Sequence, residues 1–352
     1  MEFKPTRPVP RGCAAGQFRG RYKVEPEDFV VDELPAYEPA GEGEHLWLWI
    51  EKRGMSTLDL CRDLGAAFRV DPRSIGVAGL KDARSISRQW LSVAGAKDQD
   101  AEGLGGEGWQ VLRHVRHGNK LKMGHLRGNR FEITLRGTVP GDLEIARENL
   151  AELERVGVPN YFGEQRFGKR GANLDKGLRI LRGGAKAMAA RMPRRVFGLV
   201  VSAVQSEIFN RVIIQRLSSL GQLLPGDLAF LHRNGASFPV EDVAAEQARA
   251  DAFEISPSGP MPGPKMSHPT GEPLEIEQQV LHEMDLDLQQ FAGLPFGMAR
   301  GERRPLRVPI ADVQADAVEL GLRLSFALPR GCFATTVLRE LLVDSIWFQN
   351  KD

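Results

Sequence analysis

The chain has 352 residues, enough for two domains or one large one. Apolar residues make up 42% and charged residues 26%, with 47 Lys and Arg against 46 Asp and Glu. These proportions exclude a disordered chain, a collagen-like fibre and a highly basic packaging protein, and they supply a core that needs no disulfide or structural metal. Cys13, Cys61 and Cys332 are too widely spaced for a disulfide framework or a redox pair, and the seven histidines form no zinc-spaced cluster. The N-terminal MEFKPTRPVPRG has no apolar segment of the secretory kind, and no apolar run approaches the roughly 20 residues of a membrane span. A soluble, cytoplasmic, metal-free protein is the expectation.

In chain order, HLWLWIEK (45–52) alternates and reads as a strand. Ser56 caps a helix, TLDLCRDLGAAFRV, with Leu60, Leu64 and Phe68 on one face. IGVAGL (75–80) reads as a short buried strand ending at Lys81 and Asp82, and SRQWLSVAG (87–95) as its partner. Two alternating strands follow at 109–118 and 129–137, the second with Phe131, Ile133 and Leu135 on one side. LEIARENLAELERVG (143–157) is an amphipathic helix stopped by Gly157 and Pro159. PNYFGEQRFGKRGAN is irregular and basic, and 196–220 is the longest helical pattern in the chain. Nine of the eighteen residues in 256–273 are Pro or Gly, which predicts a long loop. A helix (274–284), a strand (322–329) and a closing helix (333–342) complete the chain. Strands and helices mix without a regular βαβ rhythm, so the expected class is α+β.

The net charge of +1 hides segregation. Residues 25–44 hold eight acids and no base. Residues 112–136 hold seven Lys and Arg and three His against Glu132, and residues 162–195 hold ten Lys and Arg against Glu164 and Asp175. Residues 241–290 reverse the sign, with eleven acids against Arg249 and Lys265. Basic runs are either solvated faces or a surface for a polyanion; two such runs around aromatic-rich motifs favour neither reading by themselves.

Gly103, Gly105 and Gly108 spell GxGxxG, but they lead into a strand pattern rather than a helix, which is the wrong context for a dinucleotide. GLKDARS (79–85) brings Asp82 between Lys81 and Arg84. A carboxylate flanked by cations stays ionised and suits a nucleophile or an electrostatic stabiliser; a turn aspartate is the plainer reading. PNYFGEQRFG (159–168) holds three aromatics and two amides, which either pack beneath a loop or stack with bases. In LPRGCFATTVLREL (328–341) the helically spaced apolar residues are core, and Phe333, just past the Gly331 turn, is the one that could face outward.

PEDFVVDE (26–33), GEGEHLWLWIEKRG (41–54), VAGLKDARSISRQWLSV (77–93), LRGNRFEITLR (126–136), GVPNYFGEQRFG (157–168), SAVQSEIFN (202–210) and LPRGCFATTVLREL (328–341) stand in the order found in the TruD family of tRNA pseudouridine synthases. The chain resembles that family, in its bacterial form, over nearly its whole length except around 220–305. The resemblance implies a pseudouridine-synthase catalytic domain, a mixed and mainly antiparallel sheet flanked by helices, built from 1–157 and 307–352. An α/β insertion domain at 158–306 interrupts it, with the catalytic domain resuming at LRVPI. The activity implied is isomerisation of uridine to pseudouridine at position 13 in the D arm of tRNA, by a monomer with no cofactor, metal or protein partner.

The resemblance makes Asp82 the nucleophile and places Lys23 and Lys81 beside it, with the role of keeping it ionised. Phe131 is the expected stacking face for the extruded uracil, Asn129 offers an amide to its edge, and Phe29 and Phe333 complete the walls. Arg166, Lys169 and Arg170 are the expected RNA contacts in the second basic run. A nucleoside hydrolase also attacks C1′, but hydrolysis normally uses two carboxylates, and the sequence around Asp82 offers cations. A fold retained for RNA binding without chemistry is the other rival, and the intact Asp82 argues against it.

Overall fold

Alternation of apolar and polar side chains builds most of one large sheet. The computed structural model describes residues 15–184, 192–297 and 299–343. The N-terminal dozen residues and Cys13 lie outside them. The strands are β1 (Phe29–Pro35), β2 (His45–Arg53), β3 (Gly76–Val77), β4 (Ile86–Ala94), β5 (Gly105–Gly106), β6 (Trp109–His117) and β7 (Leu126–Arg136). Near the C-terminus β14 (Ala311–Val318) and β15 (Gly321–Pro329) join them. The order is β14-β15-β7-β1-β4-β2-β6-β5, with β3 on β4. Among the described strands of this sheet only β1 and β4 run parallel; the other pairs are antiparallel. This is the mixed, mainly antiparallel sheet of an α+β protein.

Helix α1 (Thr57–Phe68) begins where expected, Ser56 accepting from the Asp59 N–H and Asp59 returning a bond to Ser56. Its Leu60 and Leu64 pack on Leu46, Leu48 and Ile50 of β2 and on Leu91 and Val93 of β4. The opposite side of the same strands carries Trp47, Trp90, Leu121 and Leu126. Helix α2 (Asp142–Val156) ends before Gly157, whose φ of 90° needs glycine. The GxGxxG glycines form the turns of the β5–β6 hairpin, and no helix follows them. The apolar run 75–80 pairs only at Gly76 and Val77. From Ala78 it leaves the sheet, and the turn it makes carries Asp82.

Residues 15–154 and 310–343 form one unit, and residues 155–309 a second. The second unit contains β8 (Val158–Pro159), α3 (Ala172–Arg179), α4 (Arg194–Gln215), β9 (Leu228–Leu231), β10 (Ser237–Pro239) and α5 (Val243–Asp251). It continues through β11 (Ile255–Met261), α6 (Gly271–Glu283), α7 (Leu288–Ala292), β12 (Glu302–Pro305) and β13 (Arg307–Val308). By length and composition α4 could cross a membrane, but most of it is buried, and Phe197, Val204, Ile208 and Phe209 lie in this unit's core. β8 pairs with β13, and the buried Arg307 donates to the carbonyls of Val156 and Ala250. The start of LRVPI thus pairs within the second unit, which runs from Arg155 to Pro309 where 158–306 was expected.

The largest error of sequence reading lies at 256–273. Residues Ile255–Met261 form β11, and every one of them is buried. Proline is normally confined to sheet edges. Here Ile255–Pro257 pair with β9 and Ser258–Met261 pair with β12, so the strand changes partner midway. Each half has a ladder on one side only, and Pro257 and Pro260 each sit in such a half. Gly259 lets β11 lie against α4: a Cβ there would meet Leu306 Cδ2 at 2.7 Å and the Phe209 ring at 3.0 Å. Gly259→Ala should therefore lose about 1–3 kcal/mol through overpacking. Urea denaturation of the two proteins checks this; an unchanged midpoint would show that the α4–β11 contact is loose.

Candidate active site

The site is assembled from one turn, one sheet face and the segment before β1. Pro26 opens a short helical turn, Pro26–Asp28, and Asp28 closes it by accepting from the Glu25 N–H. The buried Asp28 carboxylate also takes the Arg136 guanidinium, at 2.9 and 3.0 Å from Nε. Arg21 and Arg136 exchange backbone hydrogen bonds. These contacts fix both sides of Lys23, which adopts a left-handed backbone, φ 56°, uncommon for a residue with a side chain.

From there Lys23 Nζ reaches the Asp82 carboxylate, 2.5 Å from Oδ2. The lysine side chain is 9% exposed and the aspartate 51%, so the cation is enclosed and the anion faces outward. Lys23 Nζ also lies 4.2 Å from the centroid of the Phe29 ring, the attractive geometry for a cation over an aromatic face. Burial pushes the Asp82 carboxyl up. The Lys23 hydrogen bond and charge, with the N–H groups of Ala83 and Arg84, outweigh it and hold the carboxyl below the usual aspartate range.

The turn itself is tied down from below. The Lys81 N–H donates to Thr57 Oγ1 at the start of α1, and Thr57 Oγ1 donates to Gln89 Oε1. The Asp82 carbonyl accepts from Ser85 Oγ at 2.9 Å and from Lys52 Nζ at 2.8 Å. Lys81 does not serve the expected role. Its ammonium turns to the buried Glu33 carboxylate at 2.7 Å, away from Asp82. Burial pushes the Glu33 carboxyl up, opposed by Lys81. The backbone N–H of Lys81 anchors the turn that carries Asp82.

Register places the other expected residues on one sheet face, since directly opposed residues point the same way. Glu33 lies opposite Asn129, Val31 opposite Phe131, and Phe326 of β15 opposite Phe131. The Phe131 ring is 6% exposed, edge-on to Phe29 at 6.0 Å and beside Phe326 at 5.5 Å. It is thus packed between other rings rather than open as a stacking face. Phe333 stands ahead of α8 (Ala334–Leu341) with its side chain 59% exposed. Asn129 Oδ1, Ser87 Oγ and Gln89 Nε2 are buried with no hydrogen-bond partner among the described residues. An amide oxygen left without a donor on this face fits an incoming N–H.

In the second unit Lys169 and Arg170 are exposed, but Arg166 is half-buried with its guanidinium 4.8 Å from the Phe162 ring, and burial lowers its pKa. The first basic run is partly neutralised: Arg116 pairs with Asp98, Arg130 with Asp312 and Arg136 with Asp28. Sequence reasoning missed Glu33 and Lys52. The period of two in 45–52 carried the signal for Lys52, which continues the buried series Leu46, Leu48, Ile50.

The family model for tRNA pseudouridine synthase D (TruD) matches residues 14–192 and 184–341. The tRNA pseudouridine synthase D of Geotalea daltonii is 41% identical over 92% of this chain and 96% of its own length. That of Anaeromyxobacter dehalogenans strain 2CP-C is 42% identical over 92% of each. The crystal structure of the Methanosarcina mazei protein assigned as tRNA pseudouridine synthase D (TruD) superposes with a TM-score of 0.80 at 25% identity, covering 97% of this chain and 96% of that one. Fold and sequence thus agree on an RNA-modifying isomerase. The chain belongs to the tRNA pseudouridine synthase D (TruD) family, whose members isomerise uridine to pseudouridine in tRNA.

Because the folded Asp82 pKa is depressed, its ionisation contributes stability above the unfolded value, lost as pH falls through the folded value. Lys23→Met removes the main group opposing burial and leaves only the Ala83 and Arg84 N–H groups against it. The acid limb of the rate should then move to higher pH, read from single-turnover rates between about pH 4 and 7. An unmoved limb would mean that Lys23 does not govern the charge on Asp82.

Proposed function

We propose that this enzyme converts uridine 13 in the D arm of tRNA to pseudouridine with Asp82 as its nucleophile. The observation that carries the reading is the half-exposed Asp82 carboxylate held ionised by an enclosed Lys23. The N1–C1′ bond must break, the uracil must turn, C5 must join C1′, and C5 must lose its proton. Covalent attack at C1′, attack at C6 and passage through a glycal all need one ionised carboxylate, at the sugar or, for C6, at the base. None needs a metal or redox cofactor. Extruding the base costs a few kcal/mol, and stacking on Phe333 recovers about 1–3 kcal/mol. Phe29 and Phe131 form the wall and floor, and Asn129 meets the uracil edge. The other carboxylate near the turn, Glu33, is buried and paired with Lys81, which leaves hydrolysis without a second free acid.

Asp82→Asn is the test. Asparagine is nearly isosteric, so the fold and tRNA affinity should persist while pseudouridine formation disappears. The assay reads a carbodiimide adduct on tRNA whose mass is unchanged. More than a few per cent of the wild-type rate would remove Asp82 from the reaction, and loss of uracil from the RNA would establish hydrolysis instead.

In the same reading, residues 155–309 are the family's insertion domain and help clamp the RNA, and the enzyme works as a cytoplasmic monomer. Lys169 and Arg170, with the exposed Arg113, Lys122 and Arg127, meet phosphates; Arg166 contributes from its place against Phe162. If about five phosphates are neutralised, log K should fall against log salt with a slope on the order of −3 to −4. Filter binding over a salt series checks this, and a flat response would contradict electrostatic docking.

A further inference from the structure

We infer that Lys52 is a positioning residue for the nucleophile: it fixes Asp82 through that residue's main-chain carbonyl and places a buried positive charge behind its carboxylate. The inference rests on the assignment of Asp82 as nucleophile and adds a residue with no place in the mechanism so far.

Three observations support it. Lys52 stands on β2 with no exposed surface, directly opposite Ser87 of β4 and on the buried face of the sheet. Its Nζ donates to the Asp82 carbonyl at 2.8 Å and to the Met55 carbonyl at 2.7 Å. It thereby joins the catalytic turn to the turn that enters α1. No carboxylate lies within 4.0 Å of it among the described residues, so carbonyl oxygens do the solvation that an acid does for Lys23 and Lys81. A fully buried ammonium is costly, and a neutral methionine or leucine of similar volume would fill the space without that cost.

The charged groups around it set its ionisation. The turn presents Asp82, which favours its charge, and Lys81, which opposes it; beyond these, Lys23 and Glu33 are paired to Asp82 and Lys81 in turn. Its neighbours across β2, Ser87 and Trp109, do not titrate in the working range. Burial lowers the Lys52 pKa to about 8, with Asp82 the charge holding it up. Lys52 and Asp82 therefore favour each other's ionised forms. The carbonyl bond also fixes the height of the turn, and a nucleophile displaced by about 1 Å can lose 100-fold in rate.

Two measurements decide it. In Lys52→Met the single-turnover rate on tRNA should fall by about 10- to 100-fold, with tRNA affinity within about twofold of wild type. The second needs no change at Lys52. Its Nζ is titrated by NMR in the wild-type enzyme and in Asp82→Asn, where its pKa should drop by about half a unit or more. A lysine that only props the fold would lower the melting temperature of Lys52→Met while leaving the rate per folded molecule unchanged, and its pKa would ignore Asp82. A full rate in folded Lys52→Met, or an unmoved pKa, overturns the inference. If Lys52→Met does not fold, the titration alone decides. Activity of Asp82→Asn, assayed in parallel, separates the outcomes: an active Asp82→Asn sinks the nucleophile assignment, whereas a dead one beside a fully active Lys52→Met sinks only the role of Lys52.

Discussion

Under the proposed reading, the unit of the large sheet depends on one constraint: a carboxylate must stay ionised and exposed while the backbone that carries it is held still. The Lys23–Asp82 ion pair, 2.5 Å long, meets the first half. An enclosed ammonium has given up its water, so its attraction for Asp82 is less screened than that of a surface pair. The Phe29 ring replaces part of that water on another side. The left-handed backbone at Lys23 and the Asp28–Arg136 anchor bring the ammonium to a turn that is distant in sequence. The second half falls to Thr57, Ser85 and Lys52, which hold the backbone from Lys81 to Asp82 at three points.

The same logic explains why so little of the charge in the motifs is free. Lys81 is matched by Glu33 beneath the sheet, and Arg88 by Asp32 and Glu51 beside it. Each of these acids comes from the acidic stretch before β2 or from β2 itself. Part of that stretch is therefore structural: Asp28, Asp32 and Glu33 are drawn into the fold as ion pairs. Several arginines of the first basic run are matched in the same way, and the surface offered to a polyanion is narrower than the sequence composition implies.

Much of this was legible in the sequence. The alternation in 45–52 and 129–137 predicted β2 and β7, Ser56 marked the start of α1, and Gly157 marked the end of α2. GLKD pointed to Asp82, and Lys23 proved to be its partner. What stayed hidden depends on partners. Proline and glycine in β11 read as loop because the strand's change of partner between β9 and β12 is invisible along the chain. The resemblance placed Lys81 beside Asp82 to keep it ionised, whereas its ammonium meets Glu33, 48 residues away. Phe131 read as a platform because its burial depends on Phe29 and Phe326, contributed by other strands. Lys52 drew no reading of its own, although the period of two places it inside with Leu46, Leu48 and Ile50.

The central claim is that the fold keeps Asp82 ionised. The most direct measurement is a titration of its carboxyl carbon by NMR in the wild-type enzyme carrying labelled aspartate. The account predicts an Asp82 pKa below the ordinary aspartate value of about 3.9, with the carboxylate fully charged at neutral pH. A value at or above that reference would mean that burial prevails over Lys23, and the ion pair would no longer explain how this site is built.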